Sequence, residues 1–322
     1  MKKLVLTFVL SILVALKAQA VEVSVGTQST VGLNSLAIAQ GFLDEELKKV
    51  GASLKLANFD SGADINAAFA AKSIDIGYLG IAPFVIGHIN GLDTLYFRLD
   101  FINYDNEALV ARAGKFKSVK DIKGAKIAVP FGTSAHFALL QILKLNNLSP
   151  KDVQIIDIPA GQIPAAWDRG DVDVAIVWEL ILSALKNKDF LYSDKNLADN
   201  GIILADGIAV RKEFADKNPK VIQAYKTALQ RAYEYNLKEP KAAAQALAKF
   251  FNISQDLASF QLSPRSLKLI SNEDLQSSKL FGTKENKGEI YKSFYAVANF
   301  LKEQKILRKI PDESAFKDFI LY

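Results

Sequence analysis

Hydrophobic and polar positions alternate over Val21–Thr27, which predicts a half-buried strand. At Ser35–Phe42 the pattern changes to the three-and-four spacing of a helix, carried on as one element to Lys49. Ser53–Phe59 reads as a second strand, Asp64–Ala71 as a short helix and Ile74–Tyr78 as a buried strand. Strand formers crowd Leu95–Arg112, which closes on Glu107-Ala-Leu-Val-Ala-Arg112. Further on, strands are predicted at Ile127–Pro130, Val153–Ile158 and Val172–Trp178, with helices over 134–146, 162–169 and Leu180–Leu185 between and after them. Beyond Pro219 the periodicity is helical (Val221–Leu237, Lys241–Phe251, Gln255–Phe260, Lys287–Gln304) and predicts no strand. Strands and helices in alternation define an α/β chain with mixed or mostly parallel sheets.

The chain echoes itself. Ala67-Ala-Phe-Ala-Ala-Lys-Ser-Ile-Asp-Ile-Gly-Tyr78 matches the pattern of Ala165-Ala-Trp-Asp-Arg-Gly-Asp-Val-Asp-Val-Ala-Ile176, with Asp75 and Asp173 in register. Each aspartate alone reads as part of a generic helix–turn–strand unit. Together the units suggest two similar lobes, each sending strand ends, Leu79-Gly80-Ile81-Ala82 and Val177-Trp178-Glu179, to a shared crevice. A second crossing is expected near Asp206-Gly-Ile-Ala-Val-Arg211. Lobe one is then discontinuous, 21–105 plus 210–322, and lobe two is 106–209.

Residues 1–20 stand outside that pattern. Lys2 and Lys3, the apolar run Leu4–Leu16 and the small residues of Ala18-Gln19-Ala20 form a secretory signal, with cleavage expected after Ala20. The run is short for a retained membrane anchor. There is no cysteine, hence neither disulfide nor lipid-modified thiol, and an exported, unanchored chain suits a periplasm. Loss of Lys2, Lys3 and Lys17 with the signal leaves 37 basic against 35 acidic residues. Near-neutrality argues against a nucleic-acid partner. Two histidines and no cysteine supply no cluster with metal-ligand spacing. Neither a G-x-S-x-G elbow nor a Walker loop is present. No cofactor or metal is expected.

Candidate chemistry concentrates in Lys126-Ile-Ala-Val-Pro-Phe-Gly-Thr-Ser-Ala-His136. It reads as a strand, a tight turn and the first turn of a helix, and a helix opening on Thr133 and Ser134 presents unpaired N–H groups to an anion. The same two residues are good N-caps, so their hydroxyls have a structural reading as well. His136 can donate from its ring or be a half-buried structural histidine. Gly80 and Ile81 offer backbone N–H groups at a helix start containing Pro83, or form a plain turn. Trp178, at the end of a buried strand, can cover a ligand or belong to the lobe interface. Trp167 and His88, both at apolar spacing, read as structural.

Taken in order, Asn58-Phe-Asp-Ser-Gly-Ala63, Ile76-Gly-Tyr-Leu-Gly-Ile-Ala-Pro83, Glu107-Ala-Leu-Val110, Ile127–Phe137, Ala165–Asp173 with Val177-Trp178, and Asp206 ahead of Val210-Arg-Lys-Glu-Phe-Ala215 carry a resemblance. From Val21 to about Asn236 the chain resembles the sulfonate-, nitrate- and thiamine-precursor-binding group of periplasmic receptors, its taurine-binding members above all. The resemblance implies a type II periplasmic-binding fold, hinged and two-lobed, closing on a small zwitterionic or anionic solute. It implies a monomer that delivers the solute to an ABC permease driven by a separate ATPase. A membrane chemoreceptor is a further partner class, and an enzyme resembling thiamine-pyrimidine synthase is the alternative from another class. For taurine, a sulfonate needs donors and an ammonium needs an acid. The resemblance implies Asp206 as the ammonium partner, Glu107 as a second acid or hinge brace, and Gln28 as a polar contact, beside Gly80, Ile81, Thr133, Ser134, His136 and Trp178. Tyr78, Ile81 and Glu179 depart from the expected pattern and point to a bulkier or differently charged sulfonate, or to another zwitterion.

Overall fold

The computed structural model describes residues 21–322, so the expected signal segment lies outside the described residues. Among the described residues eleven strands form two sheets: β1 (Val21–Gln28), β2 (Ala52–Phe59), β3 (Ile76–Gly80), β4 (Thr94–Asn103), β5 (Glu107–Arg112), β6 (Lys126–Val129), β7 (Gln154–Asp157), β8 (Val174–Trp178), β9 (Lys188–Ser193), β10 (Ala205–Arg211) and β11 (Leu267–Leu269). The first sheet runs β11-β4-β10-β3-β1-β2 and the second β7-β6-β8-β5-β9. Apart from β11 the two orders coincide. In each, three parallel strands (β2, β1, β3; β7, β6, β8) are followed by one antiparallel crossing strand (β10; β5) and a strand antiparallel to it (β4; β9). The α/β class and two-sheet architecture read from the sequence are those observed.

The central strands β3 and β8 are buried along their whole length, which explains their continuous apolar runs. Helices sandwich both sheets. The apolar face of the 20-residue helix Pro219–Lys238 packs on the first sheet through Tyr225, Ala228 and Leu229. The helix Ile290–Glu303 buries Phe294 and Phe300, and Phe294 meets Phe84 and Tyr96 edge-on.

Four details differ from the pattern reading. The stretch taken as one helix to Lys49 is two, Leu33–Ala39 and Phe42–Lys49, because Gly41 sits between them at φ +74°, a left-handed conformation that ends a helix. β9 and the helix Asp194–Asp199 went unread because Lys188–Ser193 is only half-buried and lacks a clean period. β11 is a strand where none was expected, three residues pairing with the edge of β4. The second crossing precedes Ala205, since β10 pairs with β3 and β4 along its length, and the expected boundary at 210 falls inside that strand.

The internal echo has a structural cause. The Asp75 carboxylate accepts the N–H of Ser24 within the neighbouring strand β1 (3.0 Å), and Asp173 accepts that of Lys126, the first residue of β6, at the same distance. The Asp75 carboxylate accepts from Arg211, which closes β10 and also donates to the Ile74 carbonyl, and that of Asp173 accepts from Lys115, while Arg112, which closes β5, donates to the Val172 and Trp167 carbonyls. The two aspartates are thus strand clamps outside the lining of the cavity between the sheets. Asp75→Ala is expected to lower stability by about 2–3 kcal/mol, because it strands a half-buried guanidinium and an amide together. Urea unfolding measures this, and a loss under about 0.5 kcal/mol contradicts it.

Candidate solute site between the lobes

Both sheets present the carboxyl ends of their parallel strands, and the amino ends of their crossing strands, to one small cavity. It is lined by Gln28, Thr30, Gly62, Gly80 and Pro83 from one side, by Glu107, Thr133, Ser134 and Trp178 from the other, and by Asn103, Asn106 and Asp206 at the crossings. Its volume is about 20 Å³, where one ordered water needs roughly 10–15 Å³. In this conformation it admits only a very small solute.

One acid comes from each crossing strand. Glu107 opens β5 opposite Trp178, and Asp206 lies at the start of β10 opposite Gly80. Glu107 is buried at 1% exposure, and Asp206 is half-buried. Glu107 accepts a hydrogen bond from the Ser134 hydroxyl on Oε2 (3.1 Å), while Oε1 has no partner. Asp206 accepts one from the Tyr78 hydroxyl (3.4 Å). Burial, then the nearby Asp206 charge, raises the Glu107 carboxyl to about 8, against the opposing Ser134 hydrogen bond. Burial raises Asp206 to about 7, although Tyr78 and Asn103 pull it down. A third acid, Asp194, stands behind them at 2% exposure with both oxygens unpartnered. Burial first, then Glu107, Asp206 and Asp105, holds its carboxyl well above the ordinary range. Among the described residues no lysine, arginine or histidine lines the cavity. Acids buried without a counter-charge are costly, and the site therefore favours a cation from outside.

The opposite electrical sign is provided by two helix starts. The helix Ile81–Ile89 follows Gly80, and the helix Ser134–Leu145 follows Thr133. Gly132 takes φ +73° to turn the chain out of β6, and Thr133 caps the helix: its hydroxyl accepts the His136 N–H (3.3 Å) and donates to the Pro130 carbonyl (2.6 Å). Of the first-turn N–H groups, helical geometry leaves those of Ser134 and Ala135 without an intrahelical acceptor. Helix starts and acids without a protein counter-charge thus meet in one cavity, with the Ser134 hydroxyl bonded to Glu107 and Gly80 paired opposite Asp206.

Seven of the nine residues singled out from the sequence, Gln28, Gly80, Glu107, Thr133, Ser134, Trp178 and Asp206, line this cavity; Ile81 and His136 do not. The Ile81 side chain is buried in the core at 1% exposure, so only its backbone is near. The His136 ring stacks flat on Phe131 with centroids 4.3 Å apart. The hydroxyls of Thr133 and Ser134, expected to hold an anion, are engaged with Pro130 and Glu107. Gln28 donates to the Tyr78 carbonyl (2.8 Å). Glu179 accepts from Ser183 instead of reaching the cavity, so that departure is structural, whereas Tyr78 steadies Asp206. Trp167 donates to the Lys186 carbonyl inside the core, and His88 meets the Thr94 carbonyl and Phe319. The sequence reading missed Thr30, Gly62, Asn103, Asn106 and Asp194. One signal was available: Glu107-Ala-Leu-Val-Ala-Arg112 and Asp206-Gly-Ile-Ala-Val-Arg211 repeat acid, four residues, arginine, and the structure puts both on equivalent crossing strands. Among the described residues no helix is long and apolar enough to cross a membrane, and no group of three or more histidine, aspartate or glutamate side chains is placed to hold a metal ion.

A two-lobed α/β body with a small polar site between its sheets is the architecture of the periplasmic binding proteins. The alkanesulfonate-binding protein SsuA of Xanthomonas axonopodis pv. citri, solved with MOPS, superposes with a TM-score of 0.75 at 20% identity, over 94% of this chain and 99% of that one. The desulfurization enzyme DSZB shares the fold more distantly, with a TM-score of 0.61 at 14% identity over 92% and 96% of the two chains. The chain belongs to the NMT1-like family, whose model matches residues 17–252. It is 33% identical over 299 residues to the taurine-binding periplasmic protein of Escherichia coli K12, covering 90% of this chain and 89% of that one.

Proposed function

We propose that this protein is a periplasmic receptor for taurine or a closely related short aminoalkanesulfonate. As a monomer it would deliver its solute to an ABC permease with a separate ATPase. The observation that carries this reading is the pair of buried acids, Glu107 and Asp206, without a protein cation beside them. Nitrate or a plain alkanesulfonate brings negative charge alone and leaves both acids unmatched. Taurine brings an ammonium for the acids and a sulfonate for the helix starts. Each hydrogen bond to a charged group contributes about 1.5–3 kcal/mol, so three or four offset the desolvation of so small an ion. The relationship to a taurine-binding protein at 33% identity points the same way. A non-catalytic role fits a site whose nearest histidine is stacked on Phe131 outside the cavity lining.

Calorimetry of the mature protein against taurine, ethanesulfonate and nitrate tests this. Taurine is expected to bind at least tenfold more tightly than ethanesulfonate, and equal affinities end the ammonium assignment. A second check uses Gly80, whose φ of −68° suits any residue. A Cβ there would lie 2.8 Å from Asp206 Oδ1 and 3.5 Å from the Ser134 Cβ. Gly80→Ala is expected to reduce taurine affinity tenfold or more with little change in unfolding midpoint; unaltered affinity would place the solute elsewhere.

A further inference from the structure

A second, larger cavity of about 310 Å³ lies outside the interlobe site, beside the helix Pro219–Lys238 and the segment 272–284. Its polar side is rich in donors. Lys226 is half-buried, and burial followed by the charge of Arg98 holds its ammonium down at about 8, with no acid compensating it. Arg98 is entirely buried; it donates to the Asn272 side-chain oxygen and to the Ile270 carbonyl, both at 2.6 Å, and its Nε has no partner. A guanidinium can only donate, so Arg98 fixes Asn272 with its oxygen inward and leaves the Asn272 NH₂ as a donor for the cavity. Tyr322 also lines the space, and its buried hydroxyl has no partner. The charges of Asp100 and Asp274 act on Arg98, and neither offsets Lys226. Phe97, Leu275 and Phe281, all buried, form an apolar part of the wall, and Gln223, Gln276, Thr283 and Lys284 complete its rim.

We propose that this cavity is a second binding site, for an organic monoanion whose carboxylate is held by Lys226, Asn272 and Tyr322 and whose apolar body lies against Phe97, Leu275 and Phe281. Such an anion supplies the counter-charge that Lys226 lacks and meets the free donors of Asn272 and Tyr322. This cavity shares no lining residue with the interlobe site, so the two ligands do not compete.

The test uses hexanoate, with hexanol and hexylamine as uncharged and cationic controls, on the mature protein with its taurine site intact. Hexanoate is expected to raise the unfolding temperature in a dose-dependent way, because a ligand that binds only the folded form stabilises it. The two controls are expected not to do so. Lys226→Gln is expected to weaken hexanoate at least tenfold while taurine affinity stays within twofold, which keeps this test separate from the taurine reading. Without any variant, NMR of labelled lysines should show the Lys226 titration move upward when hexanoate is added. Hexanol matching hexanoate, an unshifted Lys226 titration, undiminished binding by Lys226→Gln, or displacement of hexanoate by taurine would each overturn the proposal.

Discussion

Asp206→Ala is expected to lower taurine affinity roughly a hundredfold and to leave ethanesulfonate bound as well as before, or better. Removing one member of a buried, hydrogen-bonded charge pair typically costs about 2–5 kcal/mol, and every 1.4 kcal/mol is tenfold in affinity. The alanine also removes a charge that repels any anion entering the cavity, so a solute lacking the ammonium gains where taurine loses. Tyr78 loses its acceptor, but its hydroxyl lies beside the vacated space, where water can replace the carboxylate. Calorimetry on the variant with both solutes decides the matter. A parallel loss for both would mean that Asp206 only supports the architecture.

The second large effect is on pH. Empty, the site holds protons that ordinary carboxylates have lost, with Asp206 raised to about 7, Glu107 to about 8 and Asp194 raised behind them. An ammonium favours the ionised acids and displaces protons. Taurine affinity is therefore expected to climb from pH 6 to pH 8, up to tenfold per unit for each proton released, and then to level off. Titrations at pH 7 in buffers of different ionisation enthalpy should report release of about one proton; uptake or no change refutes it. Stability of the empty protein follows with the opposite sign. The folded acids keep their protons at pH values where the unfolded chain has lost them. Their contribution to stability is thus complete below about pH 4 and declines as pH rises through about 7 and 8. The slope is roughly 1.4 kcal/mol per pH unit for each proton by which the states differ. Urea unfolding at pH 5, 7 and 9 should show that decline, with a shallower one in Asp206→Asn.

Much of this arrangement was legible in the chain because its causes are local. Buried parallel strands announce themselves as apolar runs such as Ile127–Val129 and Val174–Trp178, and the turn at Gly132-Thr133-Ser134 carries its own capping chemistry. Seven of the nine residues named for the site came from strand ends and helix starts, which is where an α/β crevice must be built. What stayed hidden depends on contacts distant in sequence. Nothing near Ser134 reveals that its hydroxyl is taken by Glu107, 27 positions earlier. Asp194 looks like an ordinary first-turn acid of a short helix, and only the packing of that helix reveals it as a buried charge behind the cavity. β11 has no pattern of its own and exists because the edge of β4 offers three residues a place to pair.

The equivalent placement of Glu107 and Asp206 has a mechanical reading. Each half of the molecule carries one acid at the same point of its sheet, held protonated while nothing positive stands between them, and a small cation taking the place of those protons would tie the two halves together. Under the proposed taurine reading, the same solute stripped of its nitrogen leaves the two halves without that tie.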